Sequence, residues 1–143
     1  MEIKLDFGPG IAAMTKKIGA IGTKTYAAAA KIIDDVTDNL QAETIKRVPI
    51  DKGLLQQSID KTVEHNTFAS EITGHVFVPA NAPAKDYALY MHELEYNLGA
   101  ASLQKQAGQP EKVGRKYMER AFEENKRAYE LYIVSELRRA IGV

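Results

Sequence analysis

The sequence predicts an α+β fold: a small antiparallel β-sheet packed against a long N-terminal helix and a long C-terminal helix. Three observations carry this expectation. Apolar residues recur at three-and-four spacing from Ile11 to Leu40, and again from Met118 to Ile141, the mark of helices with one buried stripe. Between them, residues 55–64 and 71–78 are rich in Ile, Val, Thr and Phe and read as two strands of a hairpin. The stretch Val48-Pro49-Ile50-Asp51-Lys52-Gly53-Leu54 separates the two regimes. Pro49 lacks an N–H and pushes Val48 toward extended geometry, Asp51 suits a turn, and Gly53 accepts a positive φ.

Taken in order, Ile3, Leu5 and Phe7 alternate with Glu2, Lys4 and Asp6, so residues 2–7 read as a strand within an N-terminal arm, 1–10. Gly8-Pro9-Gly10 ends it. The helix over 11–47 has its stripe at Ile11, Met14, Ile18, Ile21, Ala29, Ile33, Val36 and Leu40. If continuous it would be about 55 Å long, longer than a domain of this size is wide, so a surface outside the monomer is expected to cover part of it. After the corner comes the hairpin, with Gly74 marking a bulge and Pro79 to Pro83 ending the sheet. Tyr87 to Glu93 is a short apolar segment, one or two helical turns or a third strand. Residues 94–112, with Gly99, Gly108, Pro110 and three glutamines, have weak apolar periodicity and read as a long loop that orders on assembly. The terminal helix runs from Gly114 to Ile141, its inward stripe being Met118, Phe122, Asn125, Tyr129, Tyr132, Ile133, Leu137 and Ile141, with Gly142 as its stop.

At 143 residues the chain suits one domain, 1–143, with a sizeable core. Nineteen basic and nineteen acidic residues cancel, which disfavours a general nucleic-acid or membrane-surface binder. The absence of cysteine removes disulfides, thiolate catalysis and Cys-ligated zinc. No apolar run reaches signal-peptide or transmembrane length, so synthesis in the cytosol is expected. Chemistry is sparse. His92-Glu93-Leu94-Glu95-Tyr96 starts like a zinc-protease signature, but Tyr96 stands where the second histidine is required. Gly8-x-Gly10 lacks the third glycine of a dinucleotide fingerprint. No catalytic residue, cofactor or metal is expected. Six of the tyrosines, Tyr87, Tyr90, Tyr96, Tyr117, Tyr129 and Tyr132, lie in the C-terminal half, and tyrosine is enriched at protein interfaces.

The order of these parts resembles the tailed-bacteriophage neck family, the head–tail joining or tail-completion proteins often described as minor capsid or minor tail proteins. Asp51, Gly53 and Leu54 match its acidic residue, glycine and leucine after the first helix, with Lys52 in place of a threonine. Tyr87, Ala88 and Glu93 match its Tyr-Ala-x-x-x-x-Glu segment, and Gly114, Tyr117, Met118 and Ala121 match the opening of its last helix. The resemblance implies a non-enzymatic virion protein, assembled in the host cytoplasm into a ring of six subunits. It would contact the head connector on one side and the tail tube or terminator on the other, with DNA passing through the lumen unread. The subunit or partner interface is expected at Ile50, Asp51, Lys52, Gly53, Leu54, Tyr90, His92, Glu93, Tyr96, Leu98 and Leu103. The alternative is a helical adaptor that oligomerises through the 11–47 helix. A third reading, a small hydrolase using His92 and Glu93, rests on their adjacency alone.

Overall fold

A computed structural model describes residues 2–4, 23–66, 68 and 71–142. In chain order the elements are β1 (Glu2–Lys4), α1 (Thr23–Arg47), α2 (Leu54–Ser58), β2 (Asp60–Asn66), β3 (Glu71–Phe77), α3 (Lys85–Glu93), α4 (Ala100–Ala107) and α5 (Tyr117–Ile141). The sheet runs β1-β3-β2, antiparallel throughout. The fold is α+β, with the hairpin lying against α1 and α5 packed along α1. Residues 5–7 of the expected first strand and 11–22 of the expected first helix lie outside the described residues.

The core follows the two helical stripes. From α1 come Ala29, Ile33, Val36 and Leu40, joined by Ile32; from α5 come Tyr117, Met118, Ala121, Tyr129, Ile133 and Leu137; Val76 enters from the sheet. Each large aliphatic side chain so buried contributes about 1.5–3 kcal/mol. Thr37 and Thr44 are buried on α1 without penalty, since their hydroxyls donate to the carbonyls of Ile33 (2.6 Å) and Leu40 (2.8 Å) one turn back. The described part of α1 is thus covered within the chain. The outer part of the α5 stripe departs from expectation, since Tyr132 and Ile141 stay exposed. Tyr132 instead donates to Asp35 (3.1 Å) at the rim of the α1–α5 seam.

The hairpin is shorter than its apolar content suggests. Residues 55–58, expected to begin a strand, instead belong to α2. Gly53 enters at φ 79°, Gln57 N–H donates to the Gly53 carbonyl, and Leu55 and Ser58 share the buried side. Leu-Leu-Gln-Gln is a good helix former, and this local preference wins. Gly74 makes no bulge: the β2–β3 register is continuous from Asp60↔Phe77 to Asn66↔Glu71, with Gly74 opposite Val63. Residues 87–93 are helical, within α3. The largest correction concerns 94–112, which holds a helix, α4, bonded to the rest of the subunit.

Candidate functional site

The site is built at the end of α1. A helix leaves its last carbonyls without intrahelical partners, and burial makes such orphans costly. Here nearly every one is met by a later segment of the chain. The Ile45 carbonyl accepts from Lys105 Nζ (2.5 Å), and so does that of Val48 (2.7 Å). The Lys46 carbonyl accepts from Gln109 Nε2 (2.6 Å) and the Arg47 carbonyl from the Gly114 N–H (2.8 Å). One step further, Ile50 is bonded through both backbone groups to the buried Ser102 hydroxyl, at 2.8 Å and 3.1 Å. The polar segment after Gly99 is therefore a cap for the corner.

Arg47 closes this joint from the side. It is almost fully buried and binds Glu43 (2.8 Å) and Glu124 of α5 (2.6 Å). Burial disfavours its charge, but the two carboxylates more than compensate and raise its affinity for the proton. Burial likewise works against the Glu43 charge, yet hydrogen bonds from Arg47 and Lys46 hold its carboxyl below the usual range.

Across the joint, α3 is fastened to the start of α5. The buried Tyr117 hydroxyl donates to the Ala88 carbonyl (2.6 Å), and the Lys116 N–H donates to the His92 carbonyl (2.7 Å). Lys116 Nζ binds Glu93 (2.6 Å), and Arg115 Nε donates to the Glu93 carbonyl (2.8 Å). Holding this chain path takes two left-of-normal backbones, Gly114 at φ 131° and Lys116 at φ 59°. Lys116 first and His92 second hold the Glu93 carboxyl below its ordinary range. His92 and Glu93, adjacent in sequence, do bond to each other (2.8 Å). The His92 ring is nevertheless buried edge-on against Tyr117, centroids 4.8 Å apart, with no hydrogen-bond partner for Nε2 among the described residues. His92 is thus packed into the joint and tied to a carboxylate already held by a lysine.

Between the corner, α3 and the start of α4 opens a groove of about 740 Å³. The corner supplies Ile50, Asp51, Lys52, Gly53 and Leu54; α3 supplies Tyr87, Tyr90 and Met91; Tyr96, Leu98 and Ser102 close the far side. Burial raises the Tyr96 hydroxyl above its usual pKa, and it donates to the Met91 carbonyl (2.7 Å), so its ring forms a fixed wall. Among the residues that line the groove, Leu54, Tyr87 and Tyr90 are exposed. No group of three metal-ligating side chains occurs among the described residues. No helix among them is long and apolar enough to cross a membrane.

A scan of family models and searches of curated proteins and of solved structures find no match for this chain.

Of the residues expected at an interface, Ile50 to Leu54, Tyr90, Tyr96 and Leu98 line this one groove. His92 and Glu93 sit behind it, in the joint with α5, and Leu103 is exposed on α4 outside it. Sequence reading overlooked Ser102, Lys105, Gln106 and Gln109. Their spacing is itself helical, with the periodicity in the polar residues, because the surface they meet is a row of carbonyls and N–H groups.

Proposed function

We propose that this chain is a structural subunit of a tailed-bacteriophage neck, a ring that joins the head connector to the tail and lets DNA pass. The observation that carries the reading is the joint. Two residues that match the neck family at separate points along the sequence, Tyr117 and Ala88, touch directly, and a third, Gly114, bonds Arg47 at the end of α1 just before the corner. Glu93 adds a further link through Lys116. A pattern scattered over the chain thus describes one structural unit. The groove beside it, lined by the exposed Tyr87, Tyr90 and Leu54, has the aromatic and apolar character of a contact surface. In a closed ring each subunit offers two different faces to its neighbours, and the neutral net charge suits a conduit through which DNA must slide. In this proposal the protein assembles and carries no reaction.

The adaptor reading needs the stripe of the 11–47 helix, of which residues 23–47 are described, as an external seam. Ile33, Val36 and Leu40 are already buried inside the subunit, which favours the neck.

Complementation of a phage lacking this gene provides the test. The protein should be found in purified particles, and Tyr90→Asp, at a site 60% exposed, should leave the subunit folded while unjoined heads and tails accumulate. A protein absent from particles, or full infectivity of the gene-deleted phage, would overturn the proposal.

A further inference from the structure

The β2–β3 hairpin carries a bare aromatic side chain at its far end. Phe68 lies between the end of β2 at Asn66 and the start of β3 at Glu71, and it is fully exposed. No large apolar side chain among the described residues is more so. One exposed apolar residue is ordinary on a protein surface. What sets Phe68 apart is the stiff arm that presents it and the open groove that the same chain carries elsewhere.

The arm is held along its length. Its ladder is unbroken from Asp60↔Phe77 to Asn66↔Glu71. At the base, Gln41 Nε2 donates to the Ile59 carbonyl (2.9 Å), and Lys61 pairs with Asp38 of α1. Near the tip, the Tyr26 hydroxyl of α1 lies within hydrogen-bond distance of His65 Nδ1 (3.3 Å), the two rings 6.0 Å apart. A side chain carried on a support fixed in this way loses little further freedom when it docks.

The groove is the counterpart. Leu54, Tyr87 and Tyr90 line it and are exposed, with Met91 and Leu98 beside them. Its volume of about 740 Å³ is that of an ordinary ligand pocket, about 300–1,000 Å³. Tyrosine rings and a methionine sulfur both make favourable contacts with a further aromatic ring. A subunit does not fill its own groove. β2 begins two residues after α2, one wall of the groove, and its seven residues carry the tip about 20 Å away. Charge suits a meeting of the two. The exposed Glu64 and Glu71 flank the tip, and the exposed Lys52 stands on the groove lip beside Asp51.

We propose that Phe68 of one copy of this chain seats in the groove of the next, among Leu54, Tyr87 and Tyr90. This rests on the reading of the protein as a ring subunit and names the contact between its subunits. Each copy brings one knob and one groove, so a closed ring leaves neither uncovered. The two lie at different places on the subunit, which makes the contact heterologous, the kind that closes into a ring by rotation.

The chain has no cysteine, so an engineered disulfide reads this contact alone. The full-length chain carrying both Phe68→Cys and Tyr90→Cys is oxidised as purified protein and within phage particles. Linked species larger than dimers should form, joined from position 68 to position 90, and neither single variant should give them. Phe68→Ser removes a side chain that its own subunit does not cover, so it should fold as the wild type does. In sedimentation velocity it should raise the dissociation constant of the assembly on the order of tenfold or more. Linkage that stops at dimers, or no linkage in either setting, overturns the inference. Protein present in particles without the link defeats this contact and leaves the neck reading standing. Protein absent from particles that still links in solution defeats the neck and keeps the contact.

Discussion

At the scale of single residues, the joint depends on groups whose value comes from what they face. Gly114 and Gly53 have room for a methyl group, with the nearest atoms at 3.6 Å and 3.7 Å, so it is their positive φ that restricts them. Lys116 takes the same left-handed region without being glycine, and its ammonium is bound by Glu93 and Glu119. Glu43 offers a measurable consequence. Its folded pKa lies below the ordinary 4.5, so the unfolded chain takes up its proton first as pH falls. Its contribution to stability is therefore complete above that ordinary value and disappears as pH drops through the folded one. Glu43→Gln should make the acid limb of a stability-versus-pH profile shallower, with urea midpoints as the readout. An unchanged acid limb would mean that Arg47 and Lys46 do not stabilise the charged form.

At the scale of elements, α4 explains why a helix escaped a search for apolar periodicity. Ser102, Lys105, Gln106 and Gln109 repeat at helical spacing, but they face a row of polar backbone groups. A helix that packs against carbonyls writes its period in donors. α2 shows a related effect, with a single turn of good helix formers placed before a strand. The polar contacts of α4 should be individually costly. In Gln106→Leu the Val113 N–H, in a residue only 7% exposed, loses its acceptor. A buried unpaired donor costs about 1–3 kcal/mol. Chemical denaturation should show a loss in that range, and a variant as stable as the wild type would mean that solvent reaches this N–H.

For the whole molecule, the question is whether α1 is a core helix or an oligomer seam. Ile33 and Val36 are 8% and 2% exposed in the isolated subunit, so Ile33→Glu with Val36→Glu places two carboxylates in the core. Each buried unpaired charge costs several kcal/mol, against a total stability of about 5–15 kcal/mol. The double variant should lose its fold, seen as loss of cooperative unfolding by circular dichroism. Folded, soluble monomers would instead support the adaptor. By itself the sequence determined the two long amphipathic helices, the hairpin, the corner and the α+β class, because periodicity and turn chemistry act over neighbouring residues. It also marked the corner, Tyr90, Tyr96 and Leu98 as surface candidates. Only the tertiary structure decided that these share one groove, that His92 and Glu93 belong to the joint behind it, and that the polar stretch after Gly99 is a cap. Those facts depend on which backbone groups the end of α1 leaves unpaired and on the segment, more than fifty residues later, that folds back to meet them.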